Sequence, residues 1–251
     1  GQIDQIIKAI KPDALINLAA RRLDPKVNDP GSYYVNLHLA ANIFEACFRN
    51  GLKNVINIST IGVYSPLNAI PWKESDAPTP GNFYSLSKQW AENAADFFNR
   101  KGLNIKTLRL AQVIGVGERA GYALQVYLDN ARKGLPIQVF GQCRGKRHYV
   151  YVKDVVAAIN AALMKPDVSG VFNIGMSDIY GFDELAATIN RVFGNKSEIV
   201  YNRDAKADES IYHMSIEKAG AGLDWKPRYD LFETYSDIKR DLASFPTNSQ
   251  C

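Results

Sequence analysis

Three side chains have the types and spacing to move a proton: Thr60 at the end of an apolar run, and Tyr84 and Lys88 four positions apart in NFYSLSKQWAE. A phenol titrates near about 10, too high for a base at neutral pH, and an ammonium one helical turn away favours the phenolate. A hydroxyl at a neighbouring strand end would hold a substrate oxygen within hydrogen-bond reach of that phenol. Spacing alone does not select this pair. Tyr-x-x-x-Lys recurs at Tyr149/Lys153 and Tyr235/Lys239, and with 13 tyrosines about one match is expected by chance. Tyr149/Lys153 straddles a strand end and a helix start, and Tyr235/Lys239 sits on the last helix with no buried strand leading into it. Tyr84/Lys88 opens a helix, where i and i+4 are neighbours, and follows a strand that ends in Ser59-Thr60.

The elements that must position these residues are legible in the apolar periodicity. IDQIIKAI reads as a short amphipathic helix stopped at Pro12, and ALINLAA as a strand buried on both faces. Residues 32–50 return to helical spacing, with Gly51 as the stop, and NVINIST is a second buried strand. A polar, proline-containing loop at 65–82 leads to the helix at 83–100, and IKTLRLAQVI reads as a third strand. Beyond it the pattern predicts helices at 122–133, 153–164, 182–193 and 230–244, with strands at 137–140, 148–152 and 170–175. Buried strands alternating with helices indicate an α/β fold, a Rossmann-like doubly wound parallel sheet with right-handed crossovers. The expected division is a cofactor domain at 1–112 and 148–175, a small α/β substrate lobe at 113–147 and 176–229, and a helix and tail at 230–251.

Composition narrows the class. The 251 residues are 46% hydrophobic and 22% charged, as in ordinary globular chains. No apolar run approaches the roughly 20 residues that span a bilayer, so no membrane partner is expected. Cys47, Cys143 and Cys251 are odd in number and far apart, which argues against a disulfide framework and points to the reducing cytoplasm. His38, His148 and His213 share no metal-ligand spacing, so no metal is expected. Net charge +4 mildly favours an anionic ligand. Apart from CRGKRH at 143–148 the basic residues are scattered, which makes nucleic acid a poor fit.

Eight motifs in order resemble the NAD-dependent epimerase/dehydratase family, the extended short-chain dehydrogenase/reductases that act on nucleotide sugars. They are PDALINLAA, VNLHLAANIFEAC, NVINISTIGVYS, YSLSKQWAE, LRLAQVIGVGE, KRHYVYVKDVVAAINAAL, GVFNIG and AGAGLDWKPRYDLFE, and they cover nearly the whole chain. The resemblance implies Tyr84 as acid/base, Lys88 on the nicotinamide ribose and Thr60 as hydroxyl partner. It implies that Ala19, Ala20 and Ser59 line an NAD or NADP cofactor, with Asn36 supporting the site. It places Tyr64, Gln112, Arg119 and Arg147 at a substrate that is a nucleotide sugar, Arg147 gripping the diphosphate as a guanidinium fork does. It also implies a homodimer through helices 32–50 and 83–100.

The chain departs from the family in ways that bear on function. The family's opening strand, glycine-rich turn and helix, whose amino end receives the pyrophosphate, have no counterpart here, so the sequence is expected to be truncated at its start. GVGERAG at 115–121 is no substitute: its glycine spacing is wrong, and the next strand, IQVF, ends without the acidic residue a ribose needs. Ile61-Gly62 stands where dehydratases carry Asp-Glu, which argues against dehydration. Gln112 replaces a common asparagine, and Ala205 or Lys206 stands at a second substrate arginine. The expected activity is an NAD(P)-dependent epimerase or related sugar oxidoreductase. The alternatives are a reductase or dehydrogenase of a non-nucleotide sugar or sugar acid, and a non-catalytic binding or sensory scaffold.

Overall fold

The computed structural model describes residues 1–24, 26–27, 29–118 and 122–244. In chain order the elements are α1 (Gln2–Ile10), β1 (Ala14–Asn17), α2 (Gly31–Arg49), β2 (Asn54–Thr60) and α3 (Phe83–Asn99). Next come β3 (Asn104–Leu110), β4 (Gln112–Ile114), α4 (Ala123–Arg132), β5 (Ile137–Phe140), β6 (Arg147–Tyr151) and α5 (Val152–Leu163). The chain continues through β7 (Gly170–Ile174), β8 (Ile179–Tyr180), α6 (Phe182–Phe193), β9 (Ile199–Asn202), α7 (Glu217–Leu223) and α8 (Leu231–Ser244). Two compact units form: residues 1–111, 155–174 and 214–226, and residues 112–154, 175–213 and 227–251.

The first unit is built on a parallel sheet of order β1-β2-β3-β7, in register at Ala14↔Asn54, Asn54↔Asn104 and Lys106↔Gly170. Val55, Ile56, Ile105 and Leu108 are fully buried at its centre, and Phe44, Cys47, Ala91 and Ala95 of α2 and α3 pack over one part of it. Both helices start where the sequence supplies an acceptor for orphan N–H groups. The Asp29 carboxylate accepts from Gly31 N (3.2 Å) and Ser32 N (2.8 Å), and the Asn82 side chain accepts from Ser85 N (2.9 Å). At the end of α2, Gly51 takes a left-handed φ of 68°, where a side chain would be strained.

Three expectations change. β1 is an edge strand, with Ile16 41% exposed, so its apolar run is not covered on both faces. The reading of IKTLRLAQVI as one strand also fails. Ala111 gives its N–H to Ile174 O (2.9 Å), β3 stays in the four-stranded sheet, and β4 joins β6 in the other unit. The division of the chain differs as well. β6 and α8 belong to the second unit, while 214–226 belongs to the first, where Trp72 bridges to Met214 and Ser215 N donates to Trp72 O.

The second unit has a three-stranded sheet, β4-β6-β8, and a parallel pair, β5-β9. Tyr127, Ile137, Val139, Leu185, Ile189, Tyr235 and Ile238 fill its core. The sequence did not signal β8, β9 or α7. The first has two residues, the second is mostly exposed, and the third reads EKAGAGL, too short and too poor in large side chains for a period.

Lys106 is fully buried at the start of β3, its ammonium donating to Asn54 Oδ1 (2.7 Å) and Lys165 O (3.0 Å). Burial pushes its pKa down to about 8, and burial does the same to Lys88. An unfolded lysine titrates near about 10.4. Above about 8 the unfolded chain therefore binds more protons than the folded one, and stability should rise with pH. Cys47, raised by burial to about 11, acts in the opposite sense once an exposed thiol begins to ionise near about 8.5. The rise should therefore be clearest between about pH 7.5 and about pH 9. Urea midpoints across that window should climb for the native chain and climb about half as steeply for Lys106→Met; equal slopes would show that Lys106 is not the source.

Candidate active site

The carboxyl end of β2 and the first turns of α3 build the site in the first unit. Thr60 closes β2, and its Oγ1 accepts from Gly62 N (3.1 Å), capping a 3-10 turn over Ile61–Val63. A Cβ on Gly62 would stand 2.5 Å from Ser85 Oγ, so glycine is what lets this turn lie against the start of α3. One residue before Ser85 is Tyr84, half-buried, its ring edge-on to Tyr33 at a centroid distance of 6.3 Å. Lys88 follows one turn later and is 6% exposed. Among the described residues neither the Tyr84 hydroxyl nor the Lys88 ammonium makes a hydrogen bond, and Lys88 has no ion-pair partner.

The supporting contacts come from α2 and from the chain leaving β1. Asn36, 3% exposed, donates to Ser87 Oγ (2.9 Å) and Arg21 O (3.1 Å) and accepts from Arg21 N (2.6 Å). Ser87 Oγ in turn donates to Tyr84 O (2.6 Å). Asn36 thus ties residue 21 to the turn that carries Tyr84, a bracing position with no polar atom left over for a ligand. Ala19 N donates to Asn17 Oδ1 (3.1 Å), and Asn17 Nδ2 donates to Asn57 Oδ1 (3.0 Å), so Ala19 and Ala20 leave β1 along the strand ends.

Two expected ligand contacts are committed elsewhere. Ser59 is 3% exposed and its hydroxyl donates to the Glu92 carboxylate, so that hydroxyl is held in the interior. Tyr64 is 2% exposed; its hydroxyl accepts from Arg109 (2.6 Å) and faces Asn173 Oδ1 (2.9 Å) and Lys73 O (3.1 Å). That places the Tyr64 hydroxyl in a buried network. The centre of the network is the ion pair of Arg109 and Glu92, at 2.6 Å with both side chains nearly inaccessible. Neither residue was singled out from sequence, although an arginine inside the apolar run IKTLRLA was a signal that a buried counter-charge must exist.

The electrostatics correct a further expectation. Burial pushes the Tyr84 phenol above its usual value, and the positive charge that opposes this is Arg22, not Lys88. Burial lowers Lys88 to about 8, with Glu92 opposing the fall. The loss of hydration outweighs the opposing Arg22 charge. At neutral pH the pair is therefore phenol plus ammonium, a proton donor beside a cation.

Gln112 and Arg147 lie in the second unit, and Arg119 lies outside the described residues. Gln112 opens β4 opposite Tyr149 of β6. The Arg147 guanidinium donates to the carbonyls of Lys146, Ser210 and Asp208, pairs with the Asp208 carboxylate (2.8 Å) and stacks on Tyr212 at 4.5 Å. Both of its Nη groups thus reach the 208–210 segment. Nearby, the Glu209 carboxylate accepts from the backbone of Gln142 (2.7 Å), Arg144 (2.6 Å) and Gly145 (3.0 Å), which fixes the basic CRGKRH loop. Among the described residues no group of three His, Cys, Asp or Glu side chains is placed to hold a metal, and no helix is long and apolar enough to cross a membrane.

Residues 1–175 match the model of the NAD dependent epimerase/dehydratase family. The dTDP-4-dehydro-6-deoxyglucose reductase of Escherichia coli is 26% identical over 233 residues, covering 90% of this chain and 73% of that one. Among solved structures, UDP-N-acetylglucosamine 4-epimerase from Bacillus cereus superposes with a TM-score of 0.88 at 30% identity, covering 97% of this chain and 82% of the other. UDP-glucose 4-epimerase from Thermotoga maritima, solved with UDP-glucose, gives 0.84 at 27% identity, covering 96% and 82%.

Proposed function

Because the chain belongs to the NAD dependent epimerase/dehydratase family, we propose that it is an epimerase that oxidises and re-reduces one secondary alcohol of a nucleotide-linked sugar. The observation that supports this most is the pair on α3. Tyr84 and Lys88 stand one turn apart beside the Thr60 turn, with a hydroxyl and an ammonium that no described residue uses. Polar ends without protein partners, carried on side chains that are largely buried, suit a ligand rich in hydroxyls, and the ribose and nicotinamide end of a dinucleotide is such a ligand.

NAD or NADP, when bound, supplies the acceptor and donor of hydride. The protein's own residues would handle the proton and the geometry. Thr60 Oγ1 already accepts from Gly62 N, which leaves its O–H to donate to the sugar oxygen. Tyr84, held as the phenol without ligand, would first have to release its own proton to solvent; as the phenolate it would then take the proton of that hydroxyl as the carbonyl forms and return it when the alcohol is rebuilt. Lys88 would bind the ribose hydroxyls and offset the charge that develops on the phenol.

A second reading, a reductase of a keto sugar, draws support from one feature: the environment holds Tyr84 as the phenol, the form that donates a proton to a new alkoxide. One assay separates the two. Full-length protein is given NAD or NADP with UDP-glucose, UDP-glucuronate or UDP-N-acetylglucosamine, and reduced cofactor with a 4-keto deoxy sugar nucleotide. Stereoisomer in the first set supports the epimerase and alcohol in the second the reductase; inertness in both would sink the enzymatic reading in favour of a binding scaffold.

The homodimer belongs with this proposal. Tyr34, Leu37, His38, Trp90, Asn93 and Ala94 line a groove of about 550 Å³ between α2 and α3, with Phe97 49% exposed on the same helix. Sedimentation at micromolar concentration should give twice the chain mass.

A further inference from the structure

On α8 the residues Phe232, Ser236, Lys239 and Arg240 recur at helical spacing, in a stripe that flanks the buried face of Leu231, Tyr235 and Ile238. The stripe forms one wall of a cleft of about 590 Å³, and Arg191 of α6 and Arg228 of the turn before α8 complete it. Clefts of this size hold small molecules. The walls are fixed by contacts that leave the charges available. The backbone N–H groups of Arg228 and Tyr229 donate to the buried Asp154 carboxylate at 3.0 and 3.2 Å. Lys239 Nζ donates to Val192 O (2.7 Å), and the Arg191 guanidinium lies 4.1 Å from the centre of the Phe232 ring.

Arg191, Arg228, Lys239 and Arg240 face the cleft together with one carboxylate, Glu233, which accepts from Asp230 N (2.9 Å). Arg240 pairs with Asp237 (2.6 Å), a carboxylate that Lys153 shares. Asp154 acts on Arg228 through its charge, but it is fully buried and its oxygens accept from backbone. Among the described residues Arg191, Arg228 and Lys239 have no ion-pair partner, and neither those two guanidinium groups nor the Ser236 hydroxyl makes a hydrogen bond. An ordinary solvated basic surface looks different on this chain. Lys8, Arg49 and Arg100 each pair with an acidic residue four positions away. The positions four away from Arg191 are Ala187 and Asn195, and those from Lys239 are Tyr235 and Ala243, so no helix neighbour offsets either charge.

We infer that this cleft binds a diphosphate group, borne by a nucleotide or free as inorganic diphosphate, with Arg191 and Arg228 as guanidinium forks and Lys239 and Ser236 as further donors. Guanidinium forks match phosphate oxygens, and the ammonium keeps donors beyond the one given to Val192 O. A lone phosphate brings a charge of about −2 at most, short of the unpaired cations, and a second phosphate closes the gap. The site rests on none of the α3 chemistry, since all its residues belong to the second unit.

The test titrates inorganic diphosphate into the full chain at constant ionic strength and follows the Nε–Hε resonances of Arg191 and Arg228, each assigned by its loss in Arg191→Gln or Arg228→Gln. Both should move together and saturate, with a Kd below about 1 mM. Each variant, read from the arginine that remains, should bind about tenfold or more weakly, because a charge-assisted hydrogen bond is lost. Both side chains are exposed, so the variants should keep the native urea midpoint. UDP, followed on the same resonances, separates the two sources. Tighter binding than diphosphate, returned to the diphosphate value by Phe232→Leu, assigns the site to a nucleotide; equal affinities assign it to inorganic diphosphate. Resonances that stay in place, an affinity unchanged in both variants, or the same shifts with chloride instead of diphosphate would overturn the inference.

Discussion

Replacing Tyr84 by phenylalanine should lower kcat by roughly a hundred- to ten-thousand-fold, the range that a positioned acid or base contributes. The substitution removes one oxygen from a half-buried ring whose edge contact with Tyr33 does not involve that oxygen. The hydroxyl makes no hydrogen bond among the described residues, so nothing in the fold depends on it. KM should therefore stay within a few-fold, because an interaction used only in the transition state appears in kcat. Steady-state kinetics with the substrate that the product assay identifies gives both numbers. Unchanged kcat would remove Tyr84 from the chemistry.

Arg109→Ala should cost about 3–5 kcal/mol of stability, the penalty for stranding one member of a buried ion pair. Arg109 is 3% exposed and satisfies both oxygens of Glu92 as well as the Tyr64 hydroxyl. Its loss leaves a carboxylate without a counter-charge and opens a cavity beside Tyr64 at the same time. Urea unfolding should show a lower midpoint at an unchanged slope, the sign of a stability effect and not of a different unfolded state. A loss under about 1 kcal/mol would mean that water or rearrangement already compensates the pair.

The sheet and its helices were largely legible because their signals are local. NVINIST alternates with nothing polar enough to break it, Asn82 caps α3 from the adjacent position, and Gly51 follows the last turn of α2. The reading failed where the deciding partner is far away in sequence. Ser59 and Tyr64 each carry a hydroxyl near a strand end, as a ligand contact would. Their partners are Glu92, 33 residues on, and Asn173, 109 residues on, which no motif announces. The split at Ala111 was hidden for a related reason: the apolar run is continuous, and only pairing with different strands divides it. At the site, the spacing of Tyr84 and Lys88 was plain but the sign of the perturbation was not. Charge proximity follows from spacing, whereas desolvation depends on everything packed around the pair, and here desolvation is the larger effect on both groups.

The most direct measurement uses a UDP-sugar carrying deuterium on the carbon of the reacting alcohol, incubated with NAD and the full-length protein in ordinary water. If Tyr84 moves only the hydroxyl proton while the carbon-bound hydrogen leaves and returns as hydride, the stereoisomer formed should keep its deuterium at that carbon. Deuterium lost to water would mean that the carbon itself was deprotonated, and the assignment of Tyr84 and Lys88 would be wrong.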